Sequence, residues 1–103
     1  MKMEIVGREA EAATQELLAI TGIEGSYETL GEPQKAEVLT AIATIVGIVG
    51  GTMAIAETLY QWYQRWKQKD SGKSLEKAMI VTDDGQRLLL KDATIEQIKE
   101  LLE

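Results

Sequence analysis

The first thirty residues alternate between short apolar runs and polar stretches. Met3–Val6 is a largely apolar run closed by Gly7, and this pattern predicts a short β-strand. In Arg8–Ile20 the apolar residues return every three or four positions, which is the spacing of an amphipathic helix. Ile23–Leu30 is ambiguous, with a strand around residues 26–29 as one interpretation. The pattern therefore predicts a strand, then a helix, then a third segment whose secondary structure it does not determine.

The most conspicuous feature of the pattern is an uncharged segment, Val38–Ala56, which lies between Glu37 and Glu57. As an α-helix its nineteen residues would be about 28 Å long, close to the ~30 Å hydrocarbon thickness of a bilayer. Pro33 is tolerated in the first turn of a helix, so we predict one long helix over about 34–69. Its threonines and glycines weaken insertion into lipid, which makes it a marginal transmembrane candidate.

This predicted helix has no polar face between residues 38 and 56. Three environments remain open for its apolar surface: lipid, a second copy or another protein, and complete burial within the monomer. Gly47 and Gly51 have the G-x-x-x-G spacing, which Ala43 extends backward, so the three residues would form a small-residue stripe for close helix–helix packing.

Aromatic and basic residues follow the uncharged segment. Four of the five aromatic residues of the chain fall within seven positions: Tyr60, Trp62, Tyr63 and Trp66. Two interpretations stay open, a membrane-interface belt and ordinary core residues of an amphipathic helix. The basic residues after them are Arg65, Lys67, Lys69 and Lys73, which suit either the flank of a membrane helix or a region that a protease cleaves.

The C-terminal third has two specific local signals. Apolar runs over residues 77–91 are joined through Asp84-Gly85, a two-residue sequence that favours a β-hairpin turn. Thr94 and Gln97 have the spacing of a helix capping box, which predicts a short helix over residues 94–102. We therefore expect a single α+β domain over residues 1–103, with a small sheet, a C-terminal β-hairpin, two short helices and one long Gly-containing apolar helix.

Composition narrows the function. The 103 residues include no His and no Cys, which excludes His-dependent catalytic triads, thiolate nucleophiles and zinc sites built from those residues. A formal net charge of -6 argues against a nucleic-acid binder, because phosphate backbones are bound mainly by clustered Lys and Arg. We expect no enzyme activity, no catalytic residues, no cofactor, no metal and no small-molecule substrate.

The order of parts carries a resemblance. The predicted chain begins with a strand and an acidic helix, followed by a small-residue-rich apolar helix that ends in Trp and basic residues. A D-G hairpin (residues 81–88) and a short terminal helix (from residue 93) complete it. In this order the chain resembles the effector-associated constant component family, small proteins of prokaryotic conflict systems encoded beside caspase-like or trypsin-like proteases and NTP-dependent regulators. The resemblance implies a non-enzymatic partner of such an effector.

Two functions are therefore expected. The first is a defence or cell-death component that oligomerises through its long helix and inserts in or permeabilises a membrane, with activation by an associated protease. The alternative is a soluble homo-oligomeric adaptor that docks a protease-type or NTPase-regulated effector. Either would act in a prokaryote, in the cytoplasm or at the inner membrane.

Overall fold

The computed structural model of the chain describes residues 1–30, 39–69 and 75–103. Within these ranges the elements are β1 (Lys2–Gly7), α1 (Ala10–Leu18), β2 (Ile23–Leu30), β3 (Leu39–Ile48), α2 (Thr52–Gln68), β4 (Lys77–Val81), β5 (Arg87–Leu89), a 3₁₀ turn (Leu90–Asp92) and α3 (Ile95–Leu102). The α+β prediction is confirmed. The predicted helix start at Pro33 and the basic residue Lys73 lie outside the described residues.

The five strands form one antiparallel sheet in the order β2-β3-β1-β4-β5. Alternate side chains of the central strands point to one face of this sheet, which we call the inner face. These side chains are almost completely buried: Met3, Ile5, Ala41, Ala43, Ala78 and Ile80. They form one hydrophobic core with the buried sides of the helices, so the helices cover the inner face.

The prediction of one long helix over about 34–69 is wrong for the described residues. Its first part, Leu39–Ile48, is strand β3, which pairs with β1 on one side and β2 on the other. Seven of the eleven residues from Thr40 to Gly50 are β-branched, and such side chains favour strands over helices. Alternate residues of β3 are buried on the inner face, whereas Thr40, Ile42 and Thr44 on the other face are half-buried. The segment thus follows the two-residue period of a strand.

The helical part begins only after Gly50 and Gly51, which both adopt positive φ, at 98° and 112°. This backbone conformation suits glycine and interrupts regular structure between β3 and α2. Helix α2 is amphipathic, with buried residues at helical spacing: Ile55, Ala56, Leu59, Trp62, Tyr63 and Trp66. Within the described ranges, none of the helices combines the length and the apolar character that crossing a membrane requires.

A β-hairpin and a terminal helix are present at the predicted places, but the second strand ends at Leu89 and residues 90–92 form a 3₁₀ turn. Strands β4 and β5 pair in the register Met79 with Leu89, and Gly85 in the turn between them has φ 90°. At the start of α3 the Thr94 side chain accepts a hydrogen bond from the Gln97 backbone N–H, and the Gln97 side chain accepts one from the Thr94 N–H. This reciprocal pair fixes where α3 begins.

Candidate partner-binding surface

The aromatic residues of α2 belong to the core. Trp62, Tyr63 and Trp66 are buried, and Tyr60 is half-buried against the same cluster. The indole Nε1 of Trp62 donates a hydrogen bond of 2.9 Å to the carbonyl oxygen of Ala13, which ties α2 to α1. Burial, and secondarily the charge of Asp92, raises the pKa of Tyr63. Of the two interpretations of these residues, the structure supports the core.

The basic residues of α2 interact within the chain. The Arg65 guanidinium lies 2.7 Å from one carboxylate oxygen of Glu16, and the Trp66 indole N–H donates to the other oxygen, also at 2.7 Å. The Lys67 amine is 5.9 Å from the centre of the Tyr63 ring, and the Lys69 amine is 4.0 Å from the Trp66 ring. Arg65 and Lys67 lie in regular helix, where proteases cleave poorly, since nicking is concentrated in exposed loops.

The small residues expected to form a helix-packing stripe do not share a helix. Ala43 is buried on the inner face of β3, and Gly47 lies near the end of the same strand, opposite Glu24. Gly51 immediately precedes α2. The prediction of a helix-packing stripe is therefore wrong. A strand repeats its faces every two residues, so a four-residue spacing within β3 does not form a helix-packing surface.

An irregularity of the sheet exposes an apolar side chain at the end of β3. Gly25 of β2 pairs with Ile45, but its neighbour Glu24 pairs with Gly47, so Val46 has no partner on β2. Such a β-bulge places two residues of one strand opposite one residue of the next. Val46 lies in phase with Ile42 and Thr44, on the face of the sheet opposite the inner face, and has no cross-strand neighbour on β2 there. The result is that Val46 is 76% exposed.

Two further large apolar residues are exposed shortly after this bulge. Val49 is 61% exposed and Met53, in the first turn of α2, is 42% exposed. With Val46 they fall within residues 46–53, which we call the corner segment. The Val49 N–H donates a hydrogen bond of 2.7 Å to the carbonyl oxygen of Gly22, which anchors the corner segment to the start of β2. The exposed apolar side chains thus sit on a fixed backbone.

A cleft with a volume of about 600 Å³ adjoins the corner segment, and we call it the end cleft. It lies between the end of β3, the β4–β5 turn and the end of α3. Val46, Ile48, Leu101 and Leu102 give it apolar lining, while its acidic residues are Asp83, Asp84, Glu100 and Glu103. No Lys or Arg side chain of the described residues lines it. The N-terminal amine of Met1 also lines it, 3.2 Å from a carboxylate oxygen of Asp83. The end cleft is therefore a recess of mixed polar and apolar lining with a mainly acidic border.

The turn at one side of the end cleft is ordered by side-chain hydrogen bonds. The Thr82 hydroxyl donates to Asp84 and accepts a hydrogen bond of 3.0 Å from the Gln86 backbone N–H. The bond from Thr82 is the main reason why the pKa of Asp84 is lowered. Asp84 thus stays ionised at neutral pH, which suits it to attract a cationic group and makes it a poor proton donor.

The corner segment and the end cleft bring exposed apolar side chains close to carboxylates. In the part of the chain that the structure describes, no three His, Cys, Asp or Glu side chains are placed to hold a metal ion. The exposed residues Val46, Val49 and Met53 were not singled out from the sequence, because the helix prediction assigned them to a uniform apolar surface. The run of β-branched residues ending at Gly50-Gly51 is the signal that separates strand from helix.

Comparison with protein families, with curated proteins and with solved structures finds no match to this chain. The resemblance to the effector-associated constant component family stays a prediction.

Proposed function

We propose that this protein is a non-enzymatic adaptor domain that binds an effector protein of a prokaryotic conflict system through the corner segment and the end cleft. The observation that carries the proposal is the exposure of Val46, Val49 and Met53 within eight consecutive residues of an anchored backbone. The resemblance described above supports the type of partner, a protease-type or NTPase-regulated effector.

The apolar side chains provide the binding energy in this proposal. Complete burial of a Val or Met side chain contributes roughly 1.5–3 kcal/mol. Protein interfaces usually depend on a few such anchors at their centre, surrounded by polar residues that fix the orientation. The corner segment offers the anchors, and the end cleft adjoins it through Val46.

The acidic border of the end cleft supplies the specificity. Four carboxylates lie around the recess, of which Asp83 is paired with the Met1 amine and Glu103 with Lys99. A complementary partner would therefore place basic side chains beside Asp84 and Glu100, around an apolar anchor. This arrangement disfavours a second copy as the occupant, because two acidic borders would meet. Insertion in lipid through residues 38–56 is no part of the proposal, since β3 occupies most of that segment.

A matched pair of variants tests the proposal. Val46→Ser/Val49→Ser removes two exposed anchors, whereas Leu89→Ser removes another exposed apolar side chain, 37% exposed, from β5. Each variant is co-expressed with the effector encoded beside the gene, and the affinity of the purified pair is measured by calorimetry. We expect the double variant to bind at least tenfold more weakly and the Leu89 variant to bind normally.

Two results would contradict the proposal. Equal binding by both variants would show that the corner segment is not the docking surface. A chain that light scattering finds as a dimer, and that the double variant converts to the 11.4 kDa monomer, would assign the same surface to a second copy. That result would favour the homo-oligomeric alternative.

A further inference from the structure

The sheet ends at a long strand that has one neighbour among the described residues. Strand β2 spans eight residues, Ile23–Leu30, at one edge of the strand order, and it pairs there with β3. The opposite edge strand, β5, has only three residues. In an antiparallel edge strand roughly half of the backbone N–H and C=O groups point away from the sheet. Strand β2 can therefore accept an added strand along its whole length.

Apart from Gly25, which is exposed and lies at the shift in register, the residues of β2 alternate between the two faces of the sheet. Ile23, Tyr27 and Thr29 are buried or half-buried on the inner face. Those of the other face are exposed: Glu24, Ser26, Glu28 and Leu30. The extra residue of the bulge belongs to β3, so it leaves the alternation of β2 intact. Glu24 and Glu28 thus stand in one row, about 14 Å apart at ~3.4 Å per residue.

The charged residues of β2 and of helix α1 are all acidic. Residues 9–30 contain five Glu and neither Lys nor Arg. Glu16 is paired with Arg65, and Glu11 accepts a hydrogen bond from the Tyr27 hydroxyl. Glu24 and Glu28 lie on the edge strand itself, on its exposed face. A strand that added to β2 would bring its own side chains beside these two carboxylates.

We propose that β2 binds an extended, basic segment of another protein by strand addition, with Lys or Arg at positions i and i+4 of that segment placed beside Glu24 and Glu28. Main-chain hydrogen bonds supply the affinity in such a complex, and the alternate side chains supply the selectivity. An apolar side chain two positions beyond one of the basic residues would contact Leu30, which is 49% exposed.

Charge disfavours the symmetric pairing of two copies that is centred on Ser26. If two β2 strands paired antiparallel about Ser26, Glu24 of each copy would stand opposite Glu28 of the other. Like charges directly opposite each other destabilise a strand pair, and this register would contain two such pairs. A basic segment in the same position converts both contacts into attractive ones.

Peptides of defined pattern test the proposal. The probe is a ten-residue peptide of alternating Thr and Val with Lys at positions 4 and 8, and its control has Lys at positions 4 and 7, which places the two charges on opposite faces. Binding is measured by calorimetry, and amide hydrogen exchange of residues 23–30 is followed by NMR. We expect the probe to slow exchange in β2 and to bind more tightly than the control.

Charge-reversal variants complete the test. Glu24→Lys/Glu28→Lys should weaken binding of the probe about tenfold, since each cross-strand ion pair is replaced by a repulsion. Glu57→Lys/Glu96→Lys makes the same change in net charge at exposed helical positions outside β2, and it should change the affinity less than twofold.

Several outcomes would overturn the proposal. These are no binding at millimolar peptide, binding without slower exchange in β2, and equal loss of binding in both charge variants. Protection of β2 before peptide is added would show that another part of the chain covers the edge. Protection that grows with protein concentration would assign the edge to a second copy. All of these outcomes leave the adaptor proposal untouched, because that proposal depends on the corner segment.

Discussion

The core around Trp62 and the corner segment are both rich in apolar residues, but they meet opposite environments. Trp62 has no exposed surface, and it is fixed by a hydrogen bond to Ala13 of the neighbouring helix. Val46 and Val49, which precede Trp62 by fewer than twenty residues in the sequence, are more than half exposed. The first region stabilises the fold, whereas the second adds little burial to it. Apolar residues that folding does not use are the better guide to a binding surface.

The largest change in the free energy of unfolding is expected for a substitution in the core around Trp62. Trp62→Ala removes a fully buried indole and its hydrogen bond to Ala13, so we expect the free energy of unfolding to fall by about 3–5 kcal/mol. Urea unfolding followed by circular dichroism measures the loss. Trp62→Phe is the control that keeps a buried ring and should lose less. A loss below about 1 kcal/mol in the Ala variant would contradict the core assignment.

A smaller effect is expected where the corner segment is anchored. Gly22 has φ 100°, and a Cβ there would lie 2.5 Å from the Val49 carbonyl oxygen. Gly22→Ala should therefore cost about 2–3 kcal/mol, from backbone strain and displacement of the corner segment. Gly50→Ala is the matched control, because Gly50 has φ 98° with nothing within 4 Å of the added Cβ. Thermal unfolding compares the two, and equal losses would show that the contact with Val49 contributes nothing.

The smallest effect is expected at the corner segment itself. Val49→Ser should change the free energy of unfolding by no more than about 0.5 kcal/mol, because the side chain is 61% exposed. Ile55→Ser, six residues later and 4% exposed, makes a comparable change in a buried position and should be strongly destabilising. Chemical denaturation of both variants checks this contrast. A loss above 1 kcal/mol at Val49 would mean that the chain itself covers this residue.

The local signals of the sequence predicted the fold well where a specific side chain determines the backbone. Asp84-Gly85 requires a tight turn, and the Thr94–Gln97 pair caps a helix, and both elements are where the pattern placed them. The uncharged segment was misassigned because hydrophobicity alone does not distinguish a central strand from a buried helix. Its β-branched residues and the pair Gly50-Gly51 carried that information.

The candidate surface was less predictable, for a physical reason. The exposure of Val46 depends on a shift in pairing between β2 and β3, which is a property of two strands together. The acidic border of the end cleft joins the β4–β5 turn to the end of α3, residues that only the folded sheet brings together. Local propensity therefore describes the elements, whereas the surface arises from how their ends meet.

The central position of β1 has a consequence for the order in which the protein can assemble during synthesis. Strand β1 pairs with residues 39–44 on one side and with residues 77–81 on the other, so its two ladders close over loops of very different length. The β1–β3 ladder can form once residue 44 has left the ribosome, while the β4 ladder must wait for residue 81. Until then the nascent chain carries β1 as an open edge.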